Sequence, residues 1–220
     1  MISLIHPSRG RPAKSFENSR KWVQLSGVDT ELIVAIDLDD PTAPEYVQQY
    51  NWWRHRDFQR VALVKGEHGS PVKATNMAAK EARGDILLYL SDDFECFENW
   101  GKIVEQEFVQ YKDRQALIKV DDMLQPFHVA VLTIPIMNRQ LYNKLGYFWH
   151  PGYKSMFVDE HLYWRSKALG ALFFAPHIKF EHRHVSVGKA ADDDTYRNSA
   201  ANWNQGKAMF ESHKRAGFVV

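Results

Sequence analysis

Cysteine is almost missing: Cys96 stands alone among 220 residues, so no disulfide can form within the chain. That scarcity suits a reducing, cytoplasmic setting, and Cys96 reads as an inert, half-buried small side chain. No apolar run approaches the ~20 residues of a membrane-spanning helix, so no transmembrane segment is expected. Residues 1–5 lack the length and leading charges of a signal peptide and read as a strand running into a loop. A dominant charge is missing too, with 28 Lys and Arg set against 27 Asp and Glu for a net +1. No basic stripe points to nucleic acid, and no global field gathers anions, so an anionic ligand needs a local site. Repeats, low-complexity tracts and Pro/Gly/Ser-rich linkers are absent as well. What remains is one globular domain over residues 1–220, large enough to bury a single core.

Strand and helix patterns alternate along the chain. Apolar runs at 2–5, 31–36, 60–65 and 86–90 read as buried strands. Between and after them, 15–26, 43–50, 72–82 and 99–111 read as helices, with Gly84 expected to cap the third through a positive φ. Beyond these, strands are expected at 116–120, 129–134, 172–174 and 178–182. Helices are expected at 138–145 (stopped by Gly146), at 158–169 (closed by Gly170) and through most of the tail, 192–216. An aromatic loop spans 147–157. Such alternation predicts an α/β fold with a largely parallel sheet. Ligands in these sheets bind beyond the carboxyl ends of the strands. The polar clusters fall there: Ser8-Arg9 after the first strand, Asp37 to Asp40 after the second, Asp92-Asp93 after the fourth.

Adjacent carboxylates at a strand end repel, and a hard divalent cation relieves that repulsion. A solvated turn or helix cap would also favour Asp at 92 and 93. Asp159 and Glu160 open a predicted helix, where the dipole keeps carboxylates ionised and one could serve as a general base. His182 and His184 share one face of a strand and are candidate metal or phosphate ligands. Ser8, Arg9, Arg11 and Lys73 are candidates for holding phosphate or base edges. Trp149, His150 and Tyr153 offer rings that stack on sugar faces or pack under the loop. Lys189 and Arg197 lie in a polar stretch that could fold over phosphates, and Asp192-Asp193-Asp194 reads as a solvated helix start. Trp52-Trp53-Arg54-His55-Arg56 is a candidate partner or membrane-surface contact.

The run from Lys73-Ala74-Thr75-Asn76 through Arg83-Gly84-Asp85 to Leu90-Ser91-Asp92-Asp93 resembles the GT-A glycosyltransferases, in particular the large inverting glycosyltransferase family 2. Pro7-Ser8-Arg9-Gly10-Arg11-Pro12 and Asp37 carry the same resemblance. So does the segment from Pro135-Ile136-Met137-Asn138-Arg139 to Gly146-Tyr147-Phe148, which resembles the family's acceptor-side helix and its Gly turn. Further on, Arg165 stands six residues after Asp159 and Gly170 five after Arg165, a spacing similar to the family's catalytic segment. Here Val158 replaces the usual Glu before the Asp, and Glu160 follows it. The resemblance implies a single GT-A domain, with a nucleotide-binding half at about 1–115 and an acceptor half with a helical tail at about 116–220. It implies an inverting, metal-dependent transfer of sugar from a nucleoside-diphosphate donor, UDP-sugar by default, to a glycan or other hydroxyl acceptor.

By that likeness Asp37 faces the nucleobase, Asp92 the ribose and Asp93 a Mn²⁺ or Mg²⁺ ion, in a shortened DXD motif. Pro7, Ser8, Arg9, Lys73 and Asn76 line the nucleotide site. His182 or His184 completes the metal site or meets the diphosphate. Asp159 or Glu160 is the base, and Trp149 and His150 face a sugar. The chain is short for the family, which leaves room for a homodimer. A nucleotidyltransferase of similar fold is the alternative, although its Gly-rich basic loop is represented here by Gly10 alone. A catalytically silent nucleotide- or sugar-binding module is the other. Asp37-Leu38-Asp39 does not fit a haloacid-dehalogenase phosphatase, because it follows the second strand and position 41 is Pro41.

Overall fold

The computed structural model describes residues 1–58, 60–67, 69–189 and 202–218. Strands β1 (Ile2–Pro7), β2 (Thr30–Asp37), β3 (Val61–Gly66) and β4 (Ile86–Tyr89) pair in parallel, with helices α1 (Pro12–Leu25), α2 (Ala43–Arg56) and α3 (Pro71–Glu81) between them. After β4 come a two-residue strand β5 (Phe94–Glu95), helix α4 (Trp100–Phe108), β6 (Leu117–Asp121), β7 (Ile136–Asn138) and α5 (Arg139–Leu145). The chain continues through α6 (Val158–Ala168), β8 (Leu172–Lys179), β9 (Glu181–His182) and α7 (Trp203–Arg215). The main sheet has seven strands in the order β3-β2-β1-β4-β7-β6-β8, and β5 pairs with β9 in a separate ladder. Only β7 runs antiparallel to its neighbours in the main sheet.

Period-two alternation sorts the strand side chains onto two faces. Leu4, Leu32, Val34, Leu88 and Ile136 join Trp22, Tyr46, Tyr50 and Trp100 from α1, α2 and α4. Ile5, Ile33, Ala35, Leu87 and Met137 join Val72, Ala78, Leu141 and Leu162 from α3, α5 and α6 on the other face. The central strands are therefore buried on both sides, which is why they read as unbroken apolar runs. No helix among the described residues is long and apolar enough to cross a membrane.

Four expectations need correction. Helix α1 begins at Pro12, three residues before the expected start at 15, because its buried face is largely polar: Ser15, Asn18 and Ser19 with Trp22. Residues 129–134 form no strand, despite burying Leu132 and Ile134. Asp122 instead accepts bonds from the Leu124 and Gln125 amides and the Thr133 hydroxyl, which closes the segment into a loop. The pairing strand is β7, a little further on. Strand β8 is continuous across Pro176, where two short strands were expected. It lies at the sheet edge, where a missing N–H is tolerated, and its register with β6 shifts between Val120 and Asp121.

Gly84 is the fourth. It is not in the left-handed region, and α3 ends at Ala82 in extended backbone. The carbonyls of Ala82 and Gly84 accept from the Arg139 guanidinium, and the Gly84 amide donates to Ser3 and Glu31. Glycine is required by close approach, since a Cβ would lie 2.5 Å from Ser3 Oγ and 2.7 Å from the Met1 carbonyl oxygen. Gly146 and Gly170 do take positive φ at the ends of α5 and α6. We expect Gly84→Ala to destabilise the fold by roughly 1–3 kcal/mol, read as a lower urea midpoint at unchanged m value.

Candidate active site

Strand β4 delivers Asp92 and Asp93 to its carboxyl end, in a turn closed by a bond from the Phe94 amide to the Ser91 carbonyl. Asp92 is 7% exposed. Its carboxylate lies 2.9 Å from His6 Nε2 and accepts from Ser8 Oγ at 2.9 Å, with an Arg11 guanidinium nitrogen 3.9 Å away. His6 Nδ1 lies 2.8 Å from Ser19 Oγ, and the chain of contacts continues to the Tyr50 hydroxyl and Ser15. A second branch runs from Ser8 to the Tyr46 hydroxyl, which accepts from the Arg11 amide at 3.0 Å. Burial pushes both phenols well above their ordinary range, so they remain protonated donors. The polar face of α1 thus grips the acid from below, and Asn18 donates to the Ser91 carbonyl to fix the turn itself. His6, Tyr46 and Tyr50 were not among the expected site residues. A histidine inside the first apolar strand and two tyrosines four apart on one helix face were the available signals.

A second corner forms where β2 ends. Arg9 donates to Asp37 at 2.9 Å and to both carboxylate oxygens of Asp39. These acids hold the guanidinium even further above its usual range, and Arg9 in turn lowers the Asp39 carboxyl. Asp40 accepts from the Gly10 amide and from Thr42, fixing the loop that carries Ser8 and Arg9 to the start of α2. Pro7, the last residue of β1, pairs with Ala35 of β2.

The β5–β9 ladder pairs Phe94 with His182. That register sets His182 Nε2 3.4 Å from an Asp93 carboxylate oxygen, and the His184 ring centroid lies 5.0 Å from that of His182. His182 Nδ1 is buried without a hydrogen-bond partner among the described residues. Burial, and then the neighbouring His182, lower the His184 pKa, while Asp93 opposes them. Both histidines therefore stand beside Asp93, and His182 is within reach of its carboxylate. The ladder is pinned by Arg183–Glu95, Lys21–Glu95 and Lys189–Glu181 ion pairs.

Asp159 and Glu160 form the first turn of α6, after Phe157 turns the chain in left-handed backbone. Burial raises the Asp159 carboxyl, against the pull of first-turn amides and Lys119. Glu160 is raised by burial and then by Asp159. Tyr89, at the end of β4, ties the acids together: burial first, then Asp93, Asp92 and Asp159, push its phenol up. Lys119 is buried in β6, where it donates to the Val129 carbonyl. Burial lowers its pKa, and Asp122 and Asp159 act against that. A lone lysine inside the apolar stretch of β6 was the sequence signal for it.

The remaining expected residues lie apart from this focus or serve the scaffold. The Asn76 carboxamide accepts from the Phe148 and Trp149 amides and donates to the Trp149 carbonyl, stapling the aromatic loop to α3. Trp149 is 4% exposed and packs edge-on against Tyr89 and Phe148. Lys73 is exposed on the first turn of α3, where its amide donates to the Ser70 cap. His150 lies among Tyr147, Tyr153, His161 and His213. Trp53 is core whereas Trp52 is exposed under the Arg56 guanidinium. Cys96 is buried, and burial pushes its thiol up to about 12. Asp192, Asp193, Asp194 and Arg197 lie outside the described residues.

The His6 contacts make a direct prediction. His6→Phe fills the same space but leaves the Asp92 carboxylate and the Ser19 hydroxyl without their ring nitrogens. We expect a loss of about 2–3 kcal/mol in unfolding free energy, measured by denaturant titration.

No family model matches the chain, and neither does any curated protein. Solved structures do match. TarS of S. aureus, residues 1–349 in complex with UDP, superposes with a TM-score of 0.61 at 14% identity, over 81% of this chain and 59% of that one. The same protein with UDP-GlcNAc gives 0.59 at 15% identity, over 81% and 57%. The mannosyltransferase PcManGT of Pyrobaculum calidifontis, in complex with GDP-Man and Mn²⁺, gives 0.61 at 15% identity, over 82% and 56%. The chain thus spans less than three-fifths of the length of these structures. They are GT-A glycosyltransferases, and the likeness establishes the fold: this chain has the mixed α/β, mostly parallel GT-A architecture.

Proposed function

We propose that the chain is a glycosyltransferase, moving a sugar from a nucleoside-diphosphate donor to a hydroxyl acceptor with inversion. The observation that carries this reading is the gathering of Asp92, Asp93 and Asp159 about Tyr89, beyond the carboxyl end of β4. The complexes of the structural neighbours with UDP, UDP-GlcNAc and GDP-Man support it. Asp37 and Arg9 would receive the base, and Asp92, held by His6 and Ser8, the ribose. UDP is the donor nucleotide to try first.

Asp159 is the assigned base, and its burial raises its proton affinity. A carboxyl with a raised pKa takes a proton from an attacking hydroxyl more readily than an ordinary one does. As the acceptor oxygen bonds to the anomeric carbon, the proton passes to Asp159 and the bond from that carbon to the diphosphate breaks. The donor set at Asp93 fits a divalent cation: one carboxylate with two imidazoles at hand, and a buried His182 nitrogen without a partner among the described residues. Oxygen and imidazole ligands suit Mn²⁺, and Mg²⁺ with more water. Asp93, with His182 and His184, would hold it, and such a cation supplies positive charge that neutralises the departing diphosphate.

Calorimetric titration with UDP, with and without Mn²⁺, tests the donor site. Metal-dependent binding to the wild type that is lost in Asp93→Ala is expected, and equal binding by the two would refute the metal assignment. Asp159→Asn should lower transfer by roughly 10²–10⁴-fold with UDP binding retained; full activity in that variant removes Asp159 as the base. The pH profile carries a second check. The base acts ionised, so the rate falls as pH drops through its pKa. Because that pKa is raised, the acidic limb should lie above the ~3.9 of an ordinary aspartate.

A further inference from the structure

Away from Asp92 and Asp93, three histidines from distant parts of the sequence face one another. His150 comes from the aromatic loop, His161 from α6 and His213 from α7. Their ring centroids form a near-equilateral triangle with sides of 4.7, 4.6 and 4.7 Å. One ligating nitrogen from each lies within 4.8 Å of the other two. His161 is fully buried, and neither of its ring nitrogens has a hydrogen-bond partner among the described residues. Two unsatisfied polar atoms on one buried ring are costly, and hydrophobic packing does not account for choosing histidine there.

We propose that His150, His161 and His213 bind one zinc ion, at a site separate from the acidic pair. Three imidazoles are a borderline-soft donor set that suits Zn²⁺ and not Mg²⁺. The surroundings fit a ligating role. The Tyr153 hydroxyl lies 3.1 Å from His213 Nδ1, the kind of second contact that fixes a ligating ring. The Gly152 amide donates to His150 Nδ1 at 3.2 Å, a bond that zinc must displace, because a neutral ring whose Nδ1 accepts carries its proton on Nε2. Gly152 lets the loop close over the cluster, since a Cβ there would lie 3.1 Å from the His150 ring and 2.8 Å from Met209 Sδ. The neutral form that ligates is favoured: burial first, then neighbouring histidines, push His150 down to about 4 and His161 to about 3, and burial lowers His213. Zn–N distances of about 2.0–2.1 Å in tetrahedral geometry would draw together nitrogens that lie within 4.8 Å of one another. The ion would cross-link α7 to α6, next to Asp159 and Glu160. This site does not depend on the assignment of Asp159 as a base.

The experiment is calorimetric titration of the full chain with Zn²⁺, in a background of His182→Ala and His184→Ala that leaves zinc no imidazoles beside the acidic pair. That background, and the same with Asp93→Ala, should each bind one equivalent and gain thermal stability with zinc. Added to it, His213→Phe keeps a ring in the stack and removes a ligand. It should weaken zinc binding by at least ~100-fold, the upper range for loss of a mere supporting group, and show no zinc-dependent rise in its thermal midpoint. His150→Gln should behave alike and serves if His213→Phe does not fold. Zinc-edge X-ray absorption of the complex in that background should show three imidazole nitrogens. The proposal is overturned by any of four results: no binding in that background, undiminished affinity on loss of His213 or His150, binding that requires Asp93, or an oxygen-only shell.

Discussion

A carboxylate kept from water needs donors, and the placement of Asp92 follows from that need. It lies at the end of the central strand β4, and its donors come from β1 and the loop after it. Those donors are in turn fixed by serines of α1 and tyrosines of α2. The first strand, two helices and the β4 turn are thereby bound to one oxygen pair. A hydrophobic contact tolerates sliding, whereas this network has defined directions and lengths. The polar face of α1 makes sense only as its support. Isolated from the acid, Ser15 and Ser19 would be poor choices for a buried helix stripe.

The same region concentrates negative charge at the cost of stability. Asp93 and Asp159 share their surroundings with Asp92 around a desolvated phenol, and Glu160 adds to the crowd. Burial raises the Asp159 and Glu160 carboxyls, so their ionised forms are less stable here than in water. Only partial relief comes from within: Arg11 and His6 at Asp92, His182 at Asp93, Lys119 near Asp159. An arrangement that conflicts with folding and is held by so many neighbours is the mark of a working site.

Much of this was legible in the sequence, and the limits have physical causes. Strands β1 to β4 are buried on both faces, so apolar runs announced them. The acids at 92, 93 and 159 and the histidines at 182 and 184 stood out by residue type, and a two-residue ladder draws His182 beside Asp93. That ladder is too short to leave any periodic signal. The segment 129–134 looked like a strand because Leu132 and Ile134 are buried, yet the turn chemistry of Asp122 decides its path. Asn76 matched a motif position, but its hydrogen bonds hold loop backbone. Trp149 looked like a stacking platform, and its ring lies within the core. His6 went unnoticed because a histidine in an apolar strand shows its purpose only when its partner 86 residues away is known.

The antiparallel strand β7, wedged between β4 and β6, also orders events in time. The four-strand parallel block draws on the first 89 residues, with short loops and local crossovers, so a growing chain can pair it early. The sheet cannot extend past β4 until residues 136–138 emerge, about a fifth of the chain later. Asp93 waits longer still for His182. During synthesis the Asp92 corner can therefore assemble first, and a ribosome-bound nascent chain would hold that corner beside an Asp93 that still lacks its histidines. Two adjacent acids of one turn then acquire their neighbours at separate milestones of a single polypeptide's birth.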